Sequence, residues 1–313
     1  MTEKCRLKFV KTPQKLTKAS LIQLAVVGAL FVSALSSAHA AVAPFNVQLT
    51  LSSPKVIDGG ILRVDADLPV SPARASEFSL SFEKRVIPTI ILTKDKEAKT
   101  TAVQWVVPIP FTHAPGKVTL ELSDGKSNVL SAFEIIDGKY PQEKLKVAEK
   151  HVNPPKKVFK RIQKEQHEIG LIYRNHVSTK YWSGPFALPI DSRVTSVFGS
   201  KRVYNGKLAG FHKGVDLKAA VGTPVLSPSD GKVVLAQDLY FTGYTVILDH
   251  GFGIFTIYGH MSKLKVKVGT VVSQKQVLGL AGKTGRSSGP HLHWGAVILG
   301  EKVSPMELTQ VMK

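Results

Sequence analysis

The sequence predicts a mainly β protein: an N-terminal β-sandwich of immunoglobulin-like type, a basic helical connector and a C-terminal β-rich domain. Three observations predict it. Residues 44–138 carry about seven short runs of strand character separated by turn signals, the pattern of half-buried strands rather than helices. Residues 156–175 carry an apolar stripe at helical spacing. From Pro185 onward, short runs rich in Val, Ile and Leu alternate with glycine-bearing turns.

In chain order, the first segment reads as a secretory signal. Lys4, Arg6, Lys8, Lys11, Lys15 and Lys18 stand against the single Glu3, an apolar run follows from Leu21 to Leu35, and Ala38-His39-Ala40 closes the segment. A positive start, an apolar middle and an Ala-x-Ala site describe a cleaved signal over residues 1–40. The apolar run is 15 residues, short of the roughly 18 that a membrane span needs. The expectation is export to the periplasm or cell envelope, without stable membrane insertion after cleavage. Exported protein is not expected to meet nucleic acid. Yet the chain is basic, with 42 Lys and Arg against 23 Asp and Glu and a formal charge of +19. Loss of residues 1–40 removes six basic residues and one acidic residue and leaves +14. Such a charge favours a polyanionic partner such as a cell-wall polymer. The single cysteine, Cys5, lies in the segment to be removed, so disulfides and cysteine chemistry are excluded from the mature chain.

Residues 41–138 are expected to form the sandwich. The candidate strands are Asn46–Leu51, Ile61–Ala66, Phe78–Phe82, Val86–Leu92, Ala102–Val107, Val118–Leu122 and Val129–Ile136, with Asp124-Gly125 as a hairpin turn between the last two. Residues 139–184 are the connector. Pro154-Pro155 precedes a helix expected from Lys156 to about Asn175, with Val158, Ile162, Ile169, Ile172 and Tyr173 on its apolar stripe. His167-Glu168 lies in that helix, but position 171 is Leu. It is therefore not a His-Glu-x-x-His zinc helix. Residues 185–313 form the third region.

Three segments of that region hold its polar chemistry: Gly210 to Leu217, Ile257 to Met261 and Gly289 to Gly295. Four of the chain's ten histidines lie in them. On a strand, His291 and His293 project from one face, about 6.5–7 Å apart along the backbone. They can share a metal, or one can bind it while the other acts beside it. His212 and Asp216 would stand about 13 Å apart on a straight strand, too far for one small ion. The segment must bend, and Gly214 is where a bend costs least. His212, Asp216 and His293 together supply two imidazoles and a carboxylate, the open three-ligand form of a catalytic zinc site. A His-x-His pair alone also occurs in cupins and copper proteins; the ordered set, with His260 between its members, is far more specific.

These residues carry a resemblance. The matching text is Phe211-His212-Lys213-Gly214-Val215-Asp216, Gly222-Thr223-Pro224-Val225, Asp230-Gly231-Lys232-Val233, Asp249-His250-Gly251, Tyr258-Gly259-His260-Met261, Gly285 and His291-Leu292-His293-Trp294-Gly295. The region resembles the lysostaphin-like, LytM-type zinc metalloendopeptidases that hydrolyse peptidoglycan. The resemblance implies a C-terminal antiparallel β-sheet metallopeptidase domain over residues 185–313. It implies Zn2+ held by His212, Asp216 and His293, with His260 and His291 as catalytic histidines that do not bind the metal. It also implies a substrate among peptidoglycan stem peptides, with the bond from D-Ala to diaminopimelate favoured. The alternative is a non-enzymatic wall-binding protein that activates other hydrolases. Metal content separates the two, because an activator need not hold zinc.

Overall fold

The computed structural model describes residues 46–312; the signal expected in residues 1–40, with Cys5, lies outside them. The N-terminal region folds as two β-sheets on one core. Thr50–Leu51, Ile61–Leu68, Thr101–Pro108 and Ile90–Ile91 lie side by side in that order in the first sheet. Lys55–Ile57, Asn128–Ile136, Gly116–Ser123, Ser79–Phe82 and Arg85–Ile87 make the second. Alternation builds the core. Along Ile61–Leu68, Leu62, Val64, Ala66 and Leu68 are buried while Arg63, Asp65 and Asp67 are not. Leu80, Leu120 and Phe133 of the second sheet meet them around the buried Trp105. The indole Nε1 of Trp105 donates to Thr89 Oγ1 at 3.0 Å.

One expected strand is two. The run Val86–Leu92 divides into Arg85–Ile87, in the five-stranded sheet, and Ile90–Ile91, in the four-stranded sheet. Pro88 stands between them. It has no N–H for a ladder, and here the chain crosses from one sheet to the other.

In the connector, a short 3-10 turn over Lys156–Val158 continues as the α-helix Phe159–Arg174. Ile169, Ile172 and Tyr173 of the expected stripe pack against Leu235, Ile247 and Phe255. The connector also contributes a strand that alternation did not reveal. Gln142–Leu145 pairs in parallel with Lys201–Tyr204, which pairs antiparallel with Lys207–Phe211. Just before it, Tyr140 packs against Phe111 and Phe198, and its hydroxyl donates to the Asp58 carbonyl. The ring thus bridges the N-terminal sheets and the C-terminal region.

The C-terminal region is built on an antiparallel sheet in the order Val194–Ser196, Val215–Lys218, His291–Ile298, Ile254–Met261, Gly243–Gly251, Gly231–Leu239 and Val271–Val272. A three-stranded sheet of Pro224–Leu226, Val277–Leu280 and Lys263–Leu264 lies against it. Leu217, Val225, Leu248, Tyr258, Leu278 and Trp294 belong to the core that the two sheets share.

His250 is fully buried in this domain. Its Nδ1 donates to Asp230 O at 2.7 Å, and its Nε2 accepts from Thr256 Oγ1 at 2.7 Å. Both bonds suit the neutral ring, and burial pushes its pKa from 6.5 down to about 4. Between those values the unfolded chain binds more protons than the folded one. Stability is therefore complete above pH 6.5 and is lost as pH falls toward 4. The His250 contribution amounts to about 3 kcal/mol. Denaturant unfolding in chelator at pH 7 and pH 4.5 measures it. His250→Asn, which cannot take up a proton, is expected to show a flatter dependence than the parent chain; equal slopes would exclude His250 as the source.

Candidate metal centre

Strand register assembles the polar residues. Asp216 stands opposite His293, and Lys218 opposite His291, across the pair of Val215–Lys218 and His291–Ile298. On the other flank Gly259 stands opposite His293. Alternation puts the side chains of His291 and His293 on one face.

His212 arrives from the end of the Lys207–Phe211 strand, and the chain turns before Val215. Gly214 lies in that turn, and its lack of a side chain matters for packing as well. A Cβ there would lie 2.5 Å from Trp294 O and 2.7 Å from His293 Cε1. The glycine therefore lets two backbones and an imidazole approach closely. The chain bends at Gly214 as expected, and this packing requirement is added to it.

Three donor atoms converge. His212 Nε2 lies 3.0 Å from His293 Nδ1 and 3.0 Å from Asp216 Oδ1, and His293 Nδ1 lies 3.0 Å from Asp216 Oδ1. The other nitrogen of His212, Nδ1, donates to Val197 O at 3.0 Å. That bond assigns the tautomer and leaves Nε2 as a lone pair facing a carboxylate oxygen. Without a positive charge between them the contact is repulsive; with a cation it becomes ligation. Tetrahedral zinc with N and O ligands spaces them roughly 3.3 Å apart, close to the observed triangle. The donor set thus fits zinc, with the fourth position open. Without the metal, a proton on His212 or His293 supplies the positive charge: hydrogen bonds from the two protonated rings then outweigh the burial that opposes ionisation of Asp216 and hold its carboxyl below the usual range.

His291 and His260 flank the triangle. His291 Nδ1 donates to Gly289 O at 2.8 Å, and its Nε2 lies 3.6 Å from Asp216 Oδ1. His260 Nδ1 donates to Thr284 O at 2.8 Å. The two rings stand 4.8 Å apart between centroids. The position of His260 depends on a β-bulge: Tyr258 pairs with Val246 and Met261 with Tyr244, so Gly259 and His260 together oppose Thr245. His260 has φ +61°, a region that costs a non-glycine residue about 1–2 kcal/mol, and its backbone N–H donates to Thr242 O at 2.6 Å. The backbone strain serves to aim the imidazole at the site. Burial, reinforced by His291 and His293, pushes the pKa of His260 down to about 3.

Comparison with known proteins decides what this arrangement belongs to. Residues 210–305 match the description "Peptidase family M23". Those residues form an M23 peptidase domain. Peptidoglycan DD-endopeptidase ShyA of Vibrio cholerae is 39% identical over 122 residues, covering 38% of this chain and 28% of that protein. DD-carboxypeptidase/endopeptidase Mpg of Neisseria meningitidis is 36% identical over 131 residues, covering 40% of this chain and 30% of that protein. The chain thus matches less than a third of the length of these relatives. A crystal structure of a putative peptidase M23 from Pseudomonas aeruginosa aligns with a TM-score of 0.61 at 26% identity, covering 83% of this chain and 97% of that one.

Around the M23 centre stands a second layer of residues that sequence reasoning missed. Arg202 Nη2 bonds Asp216 Oδ2 at 2.9 Å and Ser196 Oγ at 2.6 Å. Ser196 Oγ lies 3.1 Å from His212 Nδ1 and 2.9 Å from both carboxylate oxygens of Glu143. Arg202 Nε lies 3.5 Å from Glu143 Oε2, an ion pair without hydrogen-bond geometry. The buried guanidinium therefore sits between two carboxylates, one facing the M23 donor triangle and one on the connector strand. All three residues precede the matched M23 segment. An arginine among many basic residues gave no signal in the sequence, and Glu143 gave none either.

Proposed function

We propose that the chain is a zinc metalloendopeptidase of the bacterial cell envelope that hydrolyses amide bonds in the crosslinking peptides of peptidoglycan. The observation that carries this reading is the 3.0 Å triangle of His212, Asp216 and His293 with two further histidines beside it. The M23 domain and the names of the relatives support the substrate class. The bond from D-Ala to diaminopimelate is the favoured target, in keeping with the DD-endopeptidase relatives.

His212, Asp216 and His293 hold the ion. Zinc bound there polarises a scissile carbonyl and makes water more acidic. His291 and His260 each commit Nδ1–H to a backbone carbonyl, so in the neutral rings each Nε2 is a free lone pair. Either can take a proton from the attacking water and pass it to the leaving amine. Neither can donate to the developing oxyanion until it has been protonated. His291, whose Nε2 lies near Asp216, is assigned as the base. His260 is assigned to the oxyanion and leaving group, roles it fills only while it carries the proton released by the attacking water.

Arg202 fixes the outer oxygen of Asp216, and Ser196 with Val197 O fixes the ring of His212. Such outer contacts govern metal affinity by roughly 10- to 100-fold. Arg202→Met is expected to weaken zinc binding by that factor in competition with a fluorescent chelator. Glu143→Gln is expected to weaken it less. Unchanged zinc affinity in Arg202→Met would remove Arg202 from the centre.

Purified residues 41–313 incubated with isolated cell-wall sacculi, with and without a zinc chelator, test the function. Mass spectrometry of the fragments is expected to show chelator-sensitive release of uncrosslinked peptides and to identify the bond. Zinc-bearing protein that releases nothing would overturn the proposal.

A further inference from the structure

Next to the metal centre lies a second polar feature that hydrolysis does not use. The guanidinium of Arg286 lies over two aromatic rings, 4.7 Å from the centroid of Tyr204 and 4.7 Å from that of Phe241. It is half-buried. The ion pairs of this neighbourhood are made by Arg202, with Glu143 and Asp216. They leave Arg286 without an anionic partner among the described residues. A cavity of about 330 Å³ opens beside the stack, lined by His151, Asn153, Tyr204, Lys207, Phe241 and Arg286 among others, with no Asp or Glu in its lining.

This cavity shares its wall with the reacting centre. Thr284 O holds His260, Arg286 N donates to Phe241 O at 2.7 Å, and Ser287 Oγ lies 3.3 Å from His291 Nδ1. One short loop thus sets both histidines and the guanidinium. On the opposite wall, Arg202 and Tyr204 are two residues apart on a strand whose pairing with Gln142–Leu145 is unbroken. They face the same side of that strand: the first reaches Asp216 and the second stacks on Arg286.

A guanidinium held against two rings keeps its N–H donors for a planar anion, and a carboxylate matches that fork. A half-buried charge without a partner is costly, and an incoming carboxylate removes the cost. Burial already weakens the charged form of Arg286, with Arg202 adding to the effect and Tyr204 opposing it. Lys207 adds a second cation to the lining.

We propose that this cavity is a substrate subsite in which Arg286 binds a free carboxylate of the stem peptide. The identity of the peptide rests on the peptidoglycan reading above; the carboxylate chemistry does not. Besides any terminal D-Ala carboxylate, such a peptide offers side carboxylates on the γ-linked glutamate and on diaminopimelate, and the test separates these two.

The probe is the tripeptide L-Ala-γ-D-Glu-diaminopimelate with the carboxyl that would join D-Ala blocked as the amide throughout, so that it is not consumed and gains no extra anion, with versions further amidated at glutamate or at the remaining carboxyl of diaminopimelate. Binding to the zinc-loaded chain is followed by NMR titration or calorimetry. The tripeptide with both side carboxylates free is expected to bind roughly 10- to 100-fold tighter than one of the two further amides, and that amide names the carboxylate. R286Q is expected to abolish the difference while retaining zinc. R286K, which keeps charge but not the fork, is expected to recover only part of it. Equal binding of acid and both amides overturns the subsite, and this comparison needs only the unaltered chain. Digestion of sacculi runs in parallel. Chelator-sensitive cleavage with no carboxylate preference sinks the subsite alone. Carboxylate-dependent binding without cleavage sinks the hydrolase and leaves the subsite standing.

Discussion

His293→Ala is expected to lose the metal and the hydrolysis together. The three donors form a triangle with 3.0 Å sides, and removal of one leaves a two-point site open to water. Metal assistance is worth several kcal/mol at the transition state, which is roughly 10³-fold or more in rate. Metal content after dialysis, set against peptide release from sacculi, reads both effects. The fold is expected to survive. His293 lies toward the start of the His291–Ile298 strand, and the packing there comes from the fully buried Leu292 and Trp294 on either side. Asp216→Asn is a sharper companion, since it preserves shape but deprives Arg202 of an anion that it meets at 2.9 Å. It is expected to destabilise the chain as well as empty the site, because the buried guanidinium then keeps only Glu143, at 3.5 Å and without hydrogen-bond geometry. Stoichiometric zinc in His293→Ala would contradict the assignment of the triangle.

The difference between what the sequence made legible and what it hid follows from the range of the signals. Alternation is local, so Ile61–Leu68 and Asn128–Ile136 stand out from their own residues. The His-x-His spacing is equally local, and the register of the sheet then brings Asp216 opposite His293. Strand Gln142–Leu145 has exposed or half-buried residues throughout and owes its existence to a neighbour about 60 residues away. No window around residue 143 contains that information. Arg202 escaped for a related reason: its role depends on Asp216 and Glu143, which only the fold brings to it. The break at Pro88 was visible in principle, since proline removes a ladder donor. The sheet switch it permits is a tertiary fact. Gly214 was flagged correctly as special, but the crowding by Trp294 O and His293 is invisible until the strands are paired.

His291→Ala is expected to keep zinc and lose activity by roughly 10²- to 10⁴-fold, the usual worth of a positioned proton-transfer group. The geometry makes this a real contest. His291 Nε2 lies 3.6 Å from Asp216 Oδ1, only a little beyond the three donors themselves, so a fourth-ligand role has to be tested rather than assumed away. Zinc loss in His291→Ala would move it into the metal set and leave His260 as the one acid–base group. For His260 the informative substitution is asparagine, not alanine. The position holds φ +61°, which asparagine tolerates better than most residues, so His260→Asn removes the imidazole while preserving the bulge that aims it. Comparable losses in the two single variants, with little further loss in the double variant, are expected if the rings act as one unit. Groups that share a proton path are non-additive in this way. Full additivity would mean that each histidine serves a separate step: one activating water, the other meeting the oxyanion or the amine. The 4.8 Å spacing of the rings favours the coupled result, because a protonated ring on either side raises the cost of protonating the other.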